Sequence, residues 1–304
     1  MKNYVDTKTE SLLAFGAKQD VPLAELTSFR VGGNASFVWT VTDCERLIEL
    51  CRFAESEGIP TVLLGKGTNI LASDGGYHGL VIRFDRPTHP PVYSGNTVRV
   101  CAGTSLTQLA KETVAAGWMG LERLSGIPGT VGGACAMNAG AYNAEIKDVL
   151  TRVRVYQNGE DRWVDVQPDA MGYRKSPFAY PGCIVLEAEL TLAPDDGEAM
   201  ARMQDCTRRR REKQPIELPS AGSVFKRPAG HFAGALIEQC GLKGCRIGGA
   251  MVSEKHAGFI VNAGGATEHD VSALIAHIQK TVLEQTGVAL ECEIKRMGDV
   301  ACIF

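Results

Sequence analysis

Apolar residues recur along the chain with two different periods. Over residues 42–54 they fall at Cys44, Leu47, Ile48, Cys51 and Ala54, which is one face of an α-helix. Thr42 with Glu45 three positions on reads as a capping box, and Gly58 as a stop past the end. The same logic predicts a helix over 104–116, with Thr104 as cap, Leu106, Leu109, Ala110 and Thr113 inward and Gly117 as stop. Between and after these, short runs rich in β-branched residues predict strands at 37–41, 61–64, 80–84, 97–102, 153–156 and 184–192.

Pro194-Asp195-Asp196-Gly197 has the composition of a boundary, and a charged helix follows over 198–213, ended by Pro215. In the last part of the chain Thr267 caps a helix over 268–285. Val271, Leu274, Ile275, Ile278 and Val282 lie on one face of it, and Gly287 ends it. Val288, Leu290, Cys292 and Ile294 then alternate with Ala289, Glu291, Glu293 and Lys295, which predicts a strand with its glutamates facing solvent. Neither repeats nor low-complexity segments occur. The mixture implies an α+β class, a long first region followed by a smaller C-terminal domain. A chain of 304 residues suits two or three packed domains.

Composition narrows the function classes. With 44% hydrophobic and 22% charged residues the chain is ordinary for a soluble globular protein. A net charge of -3 offers no basic surface to nucleic acid or membrane, so an anionic ligand must meet local cations. The N-terminal stretch, with Leu12 to Phe15 as its apolar run, does not read as a secretory signal. No segment approaches the roughly 20 apolar residues of a membrane helix, which points to the cytoplasm. The ten cysteines include no Cys-x-x-Cys spacing, so neither a disulfide framework nor a metal site is expected. Cys44 and Cys51 read as small core residues on their helix, and Cys240 and Cys245 flank a glycine-containing turn.

Two segments have the composition of phosphate-cradling loops. One is Gly65-Lys66-Gly67-Thr68-Asn69-Ile70-Leu71, straight after a predicted strand; the other is Ser125-Gly126-Ile127-Pro128-Gly129-Thr130-Val131-Gly132-Gly133. Glycines let the backbone approach a ligand and aim amide groups at anionic oxygens. Neither segment is a dinucleotide fingerprint, and no P-loop occurs. Either loop alone reads equally well as a tight turn. Two of them, with Asn138-Ala139-Gly140 close behind, favour a large phosphate-bearing cofactor.

At these residues the chain resembles the UDP-N-acetylenolpyruvoylglucosamine reductases (UDP-N-acetylmuramate dehydrogenases). The resemblance runs from about Phe29 to Gly298. It is carried by Ser28-Phe29-Arg30-Val31-Gly32-Gly33, the two glycine loops, Met137-Asn138-Ala139-Gly140-Ala141-Tyr142 and Tyr173-Arg174-Lys175-Ser176-Pro177-Phe178. It continues through Gly222-Ser223-Val224-Phe225-Lys226-Arg227-Pro228, Lys255-His256-Ala257-Gly258-Phe259 and Glu293-Ile294-Lys295. The family implies a two-part FAD-binding domain of the vanillyl-alcohol-oxidase (PCMH) type and a smaller α+β substrate-binding domain. Mapped onto this chain, that division is residues 1–88, 89–194 and 195–304. It implies non-covalent FAD held by Arg30, Gly65, Lys66, Gly67, Thr68, Asn69, Ile70, Leu71, Gly126, Ile127, Pro128, Gly129, Thr130 and Gly133, with Asn138, Ala139 and Gly140 near the flavin ring. His78 and His89 lie in no motif that matches a covalent linkage site. The chain looks like the shorter subtype, without the tyrosine-bearing loop. It departs from the pattern at Asn143-Ala144, where relatives often carry glycine, and at Lys295, where arginine is common.

The resemblance also implies a reaction. NADPH reduces FAD, and the reduced flavin gives hydride to the methylene carbon of UDP-N-acetylglucosamine enolpyruvate, yielding UDP-N-acetylmuramate for peptidoglycan. Negative charge then builds beside an existing carboxylate, where a cation acts selectively on the transition state. By resemblance Arg174 is that cation, Ser223 the proton donor and Glu293 the third catalytic residue, which orients Ser223 or a water, stabilises the enol, or donates a proton. Tyr173, Lys226 and Arg227 are placed at the substrate, and His256 at the substrate, at NADPH or in the core. Four successive arginines, Arg208, Arg209, Arg210 and Arg211, cover every side of a helix, so they read as a solvated or inter-domain face, with contact to a substrate phosphate as the alternative. A monomer or weak oligomer is expected. Two other readings share the glycine loops: an oxidase of alcohols or hydroxy acids on the same flavin fold, and a non-catalytic nucleotide-sugar binder. Neither accounts for Arg174, Ser223 and Glu293 together.

Overall fold

The structure is a computed structural model that describes residues 7–297. Gly298, where the family resemblance ends, and Cys302 lie outside the described residues. The helices are α1 (Thr7–Phe15), α2 (Cys44–Ser56), α3 (Leu106–Ala115), α4 (Val131–Met137), α5 (Ala199–Lys213), α6 (Ala233–Gln239) and α7 (Glu268–Thr286).

Three sheets organise them. The first runs Lys18–Pro22, Asn34–Val41, Tyr77–Phe84, Thr61–Leu64, antiparallel at its outer pair and parallel elsewhere. The second is antiparallel, in the order Glu160–Asp165, Leu150–Gln157, Cys183–Thr191, Thr97–Cys101, Val92–Ser94. A three-stranded sheet, Arg246–Ile247, Ala250–Val252, Ile260–Asn262, carries α7, and α6 packs against α7. The first two sheets share one core, in which Trp39, Ile82 and Phe84 join Val98, Val100 and Leu186. The C-terminal core of Val224, Ile237, Val252, Leu274 and Ile278 draws in Phe29, Val31 and Leu71 from the first region. Helix α5 packs Ala199 and Met203 against Val114 of α3.

Predicted elements form, with three differences. The cap of α2 is Asp43 rather than Thr42: its carboxylate accepts the Arg46 N–H at 2.8 Å, while the Thr42 carbonyl accepts from Thr88 at 3.0 Å. Ser105, not Thr104, precedes α3, because the Thr104 carbonyl is engaged by the Val131 N–H at 2.9 Å. The strand expected near 288–295 breaks into pieces because the segment changes partners. Cys292 pairs with Phe225, and Lys295–Arg296 then runs parallel to Ile70–Leu71.

Two predicted features meet their local geometry. Thr267 and Asp270 form a capping box on α7, and Gly287 closes its end at φ +73°. Tyr142 and Asn143, at φ +53° and +61°, turn Gly140–Ala141 back onto Ala144–Glu145. Two consecutive positive φ values match the tight hairpin turn that asparagine tolerates, so the turn closes without glycine.

Candidate active site

The two glycine loops face each other. A Cβ on Gly65 would lie 2.5 Å from the Thr130 hydroxyl, and one on Gly67 would lie 2.3 Å from the Leu26 carbonyl. No side chain fits at either position, so the first loop packs directly against the Thr130 side chain and the Leu26–Thr27 backbone. Thr68 sits opposite Gly129, and Ile70 and Leu71 leave the loop paired with Lys295 and Arg296. The second loop is tied down by Leu106 N–H to Gly129, Gly132 N–H to Ala102 and Ile127 N–H to Leu124; Pro128 lies between those ties. Thr130 caps α4 by accepting from Gly133 at 3.3 Å.

Several groups around the loops lack protein partners. The hydroxyls of Ser125 and Thr104 are buried without a hydrogen bond. Arg210 lies against Gly126, its nearest guanidinium nitrogen 3.2 Å from where a Cβ would sit, and it makes no ion pair among the described residues. Burial lowers its pKa. Lys66 donates to the Ser105 hydroxyl at 2.7 Å, and burial lowers its pKa too. Two unpartnered hydroxyls and two cations, Lys66 and Arg210, beside these loops fit an anionic, multiply accepting group such as the pyrophosphate of FAD. The Arg30 backbone is held at φ +56° by Asn262, whose amide donates to its carbonyl at 3.2 Å. Asn138 spends its side chain internally, donating to Glu145 and to the Gly172 carbonyl, each at 2.9 Å. That bond fixes the approach to Tyr173 and Arg174, while Ala139 is anchored through its N–H to Ala134.

Arg174 is itself at φ +55°, a backbone region few side chains adopt. Its Nε donates to Glu293 Oε1 at 2.5 Å, and its guanidinium lies 5.0 Å from the Tyr173 ring centroid. Glu293 is not on a solvent face as the alternation predicts; it is 8% exposed. The reason is the change of partners in its segment. Its N–H donates to the Val224 carbonyl at 2.8 Å, and its carbonyl accepts from the Asn69 amide at 3.2 Å. Ser223 immediately precedes Val224, so two residues 70 positions apart come onto adjoining segments, which are joined by this bond and by the Phe225–Cys292 bridge. The Ser223 hydroxyl donates only weakly, to the Phe225 carbonyl at 3.4 Å. A Cβ on Gly258 would meet both Ser223 Oγ at 3.4 Å and His256 Cε1 at 3.0 Å. His256 Nδ1 accepts the Gly258 N–H at 3.1 Å, and burial lowers the ring's pKa.

Beside Arg174 opens a cleft of about 600 Å³, lined by Gly140, Tyr142, Tyr173, Arg123, Arg202, Arg209 and Arg227. Arg202 is neutralised by Glu122 and Asp196, and Arg209 reaches Asp205 while its guanidinium lies 4.9 Å from the Tyr142 ring centroid. Arg123 bonds only the Tyr142 carbonyl, at 3.1 Å, and Arg227 stacks on Phe232 at 4.5 Å with its N–H donating to the Tyr173 hydroxyl. Neither has a carboxylate partner among the described residues, so the cleft suits an anion. Lys226, expected at the substrate, is paired with Glu291. The four-arginine run divides: Arg208 is engaged by Asp205 and Glu212, Arg209 lines this cleft, and Arg210 turns to the glycine loop. Arg123, a single arginine in the short helical turn Glu122–Leu124, was not legible as a site residue, and Arg210 was read only as one of the four-arginine run. No cluster of three or more metal-ligating side chains occurs among the described residues.

Comparison with known proteins bears on the same residues. Residues 35–166 match the FAD binding domain family, and residues 214–297 match the family described as UDP-N-acetylenolpyruvoylglucosamine reductase, C-terminal domain. The UDP-N-acetylenolpyruvoylglucosamine reductase of Clostridium perfringens (strain SM101 / Type A) is 42% identical over 281 residues, 92% of each chain. The chain belongs to the UDP-N-acetylenolpyruvoylglucosamine reductase family. A reductase of this name from Geobacillus kaustophilus is 44% identical over 92% of this chain and 93% of its own. The crystal structure of the reductase from Thermus caldophilus superposes with a TM-score of 0.77 at 37% identity, covering 92% of this chain and 99% of that one.

Proposed function

We infer that the protein reduces UDP-N-acetylglucosamine enolpyruvate to UDP-N-acetylmuramate in peptidoglycan precursor synthesis, using NADPH and FAD. The observation that supports it best is the part-buried Arg174–Glu293 pair, assembled from distant parts of the chain beside Ser223 and at the mouth of an arginine-lined cleft. FAD, when bound, accepts hydride from NADPH and delivers it to the enol ether. The residues that hold it are those of the two glycine loops, with Lys66 and Arg210 as the cations beside them.

The chain's own side chains manage charge and proton. Glu293 holds one edge of the Arg174 guanidinium, which leaves other N–H groups for the substrate carboxylate and the charge that develops next to it. Glu293 therefore acts as an orienting residue. Ser223 is the proton donor: its hydroxyl is bound weakly enough to turn toward the carbanion. Arg123, Arg209 and Arg227, with Tyr173, take the UDP diphosphate in the cleft. The division into residues 1–88, 89–194 and 195–304, a monomer or weak oligomer, and a cytoplasmic location belong to the same reading. No helix among the described residues is long and apolar enough to cross a membrane.

Ser223→Ala separates the half-reactions. The variant is expected to keep FAD and to be bleached by NADPH at the normal rate, yet to be reoxidised by the enolpyruvate substrate far more slowly. Stopped-flow reoxidation at the wild-type rate would remove Ser223 from the proton step.

A further inference from the structure

Helix α2 begins at Cys44, and strand Thr97–Cys101 ends at Cys101. Their sulfurs are 3.7 Å apart, in direct contact, with either thiol able to donate. Among the described cysteines no other pair makes a sulfur–sulfur contact. The two belong to different halves of the cofactor-binding region: α2 packs on the first sheet, and Cys101 lies in the second. Cys44 also reaches the Leu186 carbonyl at 3.3 Å, so its position is held from the second sheet as well.

The chemistry of the pair differs from that of the other thiols. Both cysteines are half-buried rather than sealed in the core. Burial pushes the fully enclosed thiols of Cys51 and Cys135 up to about 12, which keeps them protonated and unreactive. At Cys101 the hydrogen bond from Cys44 draws the pKa down, while Cys44, as its partner, is pushed up. One thiol is thus favoured as thiolate with the second beside it, the arrangement in which an oxidised sulfur is resolved at once.

We propose that Cys44 and Cys101 form a site of reversible oxidation, taking a peroxide-class oxidant and closing to a disulfide that staples the two cofactor-binding halves together. The Cys101 thiolate attacks one peroxide oxygen, the O–O bond breaks, and the departing hydroxide takes a proton to become water. Cys101 is then a sulfenic acid. The Cys44 sulfur attacks it, the S–S bond forms, and the sulfenic oxygen leaves as a second water. The two sulfurs together lose two electrons and the peroxide gains them. The sulfurs must close from 3.7 Å to about 2.05 Å. That is a movement within reach of side-chain rotation at the first residue of a helix and the last residue of a strand.

The location gives the staple a consequence, which rests on the FAD reading. Ala102, next to Cys101, accepts the Gly132 N–H of the second glycine loop at 2.8 Å, while the first loop belongs to the half that carries α2. A covalent link here hinders the parting of the two loops, so FAD leaves the oxidised protein more slowly.

The test uses the full-length protein with FAD bound, fully reduced with dithiothreitol, freed of it and exposed to hydrogen peroxide. Free thiols are then alkylated and the protein is digested without reductant. The expected product is one peptide pair joined through Cys44 and Cys101 within a single chain, absent after renewed dithiothreitol. Separate alkylation of both residues after peroxide, over-oxidation of Cys101 without a link, or a link only between two chains would each overturn the proposal. Cys44→Ser and Cys101→Ser should each abolish the link; should either variant fold poorly, the wild-type peptide map still decides. FAD release, followed as the rise of free-flavin fluorescence after dilution, is expected to be several-fold slower from the cross-linked protein. An equal rate despite a complete cross-link would overturn the stapling role. Failure of the reduced protein to retain FAD at all would count against the cofactor reading and leave the peptide map fully interpretable.

Discussion

Arg174 carries the reading at the level of single residues. Its backbone is in the left-handed region and its guanidinium is bound by Glu293, two restraints that together hold the fork in one direction. Arg174→Ala removes the cation from the place where charge develops, and a loss of about 10²–10³-fold in kcat is expected. Arg174→Lys keeps the charge but not the planar fork, so it should recover only part of that loss. Steady-state kinetics on both variants are the check, and unchanged kcat in the alanine variant would take Arg174 out of the reaction. Arg174 and Ser223 are candidates from the sequence because their motifs resemble a family's. The setting of Glu293 was not. Alternation with Cys292 and Ile294 assigns it to solvent, and only the contacts of its backbone with Val224 and Asn69 explain why it is buried.

Among the elements, α7 shows how local signals succeed. The Thr267 hydroxyl accepts from Asp270, and the Asp270 carboxylate returns the bond to the Thr267 N–H at 3.1 Å. Thr267→Ala should lower stability by about 1 kcal/mol, measured by urea unfolding. The Asp270 carboxyl is held below its ordinary value, first by the Gly249 N–H and then by the Thr267 N–H. Its folded pKa is depressed, so its stabilisation is present in full above the unfolded value of about 3.9 and fades as pH falls through the folded one. Asp270→Asn should therefore lower Tm at neutral pH and bring the two proteins together in acid. A difference that stays constant across that range would contradict the assignment. The periodic patterns located α2, α3 and α7, and a charged run between Gly197 and Pro215 located α5, yet two caps were missed by one residue. Choosing between Thr42 and Asp43, or Thr104 and Ser105, depends on which carbonyls are taken by Thr88 and Val131, and no local pattern carries that information.

For the molecule as a whole, distant segments close the site. The last described strand runs back to pair with the first glycine loop, and the Asp74 carboxylate of the first region receives the Glu268 and His269 N–H groups at the start of α7, at 2.8 and 3.0 Å. These ties hold the C-terminal core against the cofactor-binding region and so hold Glu293 against Arg174. Asp74→Ala should loosen that contact and raise amide hydrogen exchange in the first turn of α7 while leaving exchange in the second sheet unchanged; identical exchange throughout would show that the tie is dispensable. Such pairings were the least legible part of the fold, because residues such as Ile70 and Lys295 carry no mark of each other in sequence.

The central claim is that one site passes hydride from NADPH to an enol ether of a nucleotide sugar. Its most direct test is an anaerobic titration of the purified protein followed by its visible spectrum. The flavin bands should bleach on addition of NADPH and return on addition of UDP-N-acetylglucosamine enolpyruvate, with UDP-N-acetylmuramate recovered as product. Bands that bleach with NADPH and stay bleached when that substrate is added would contradict it.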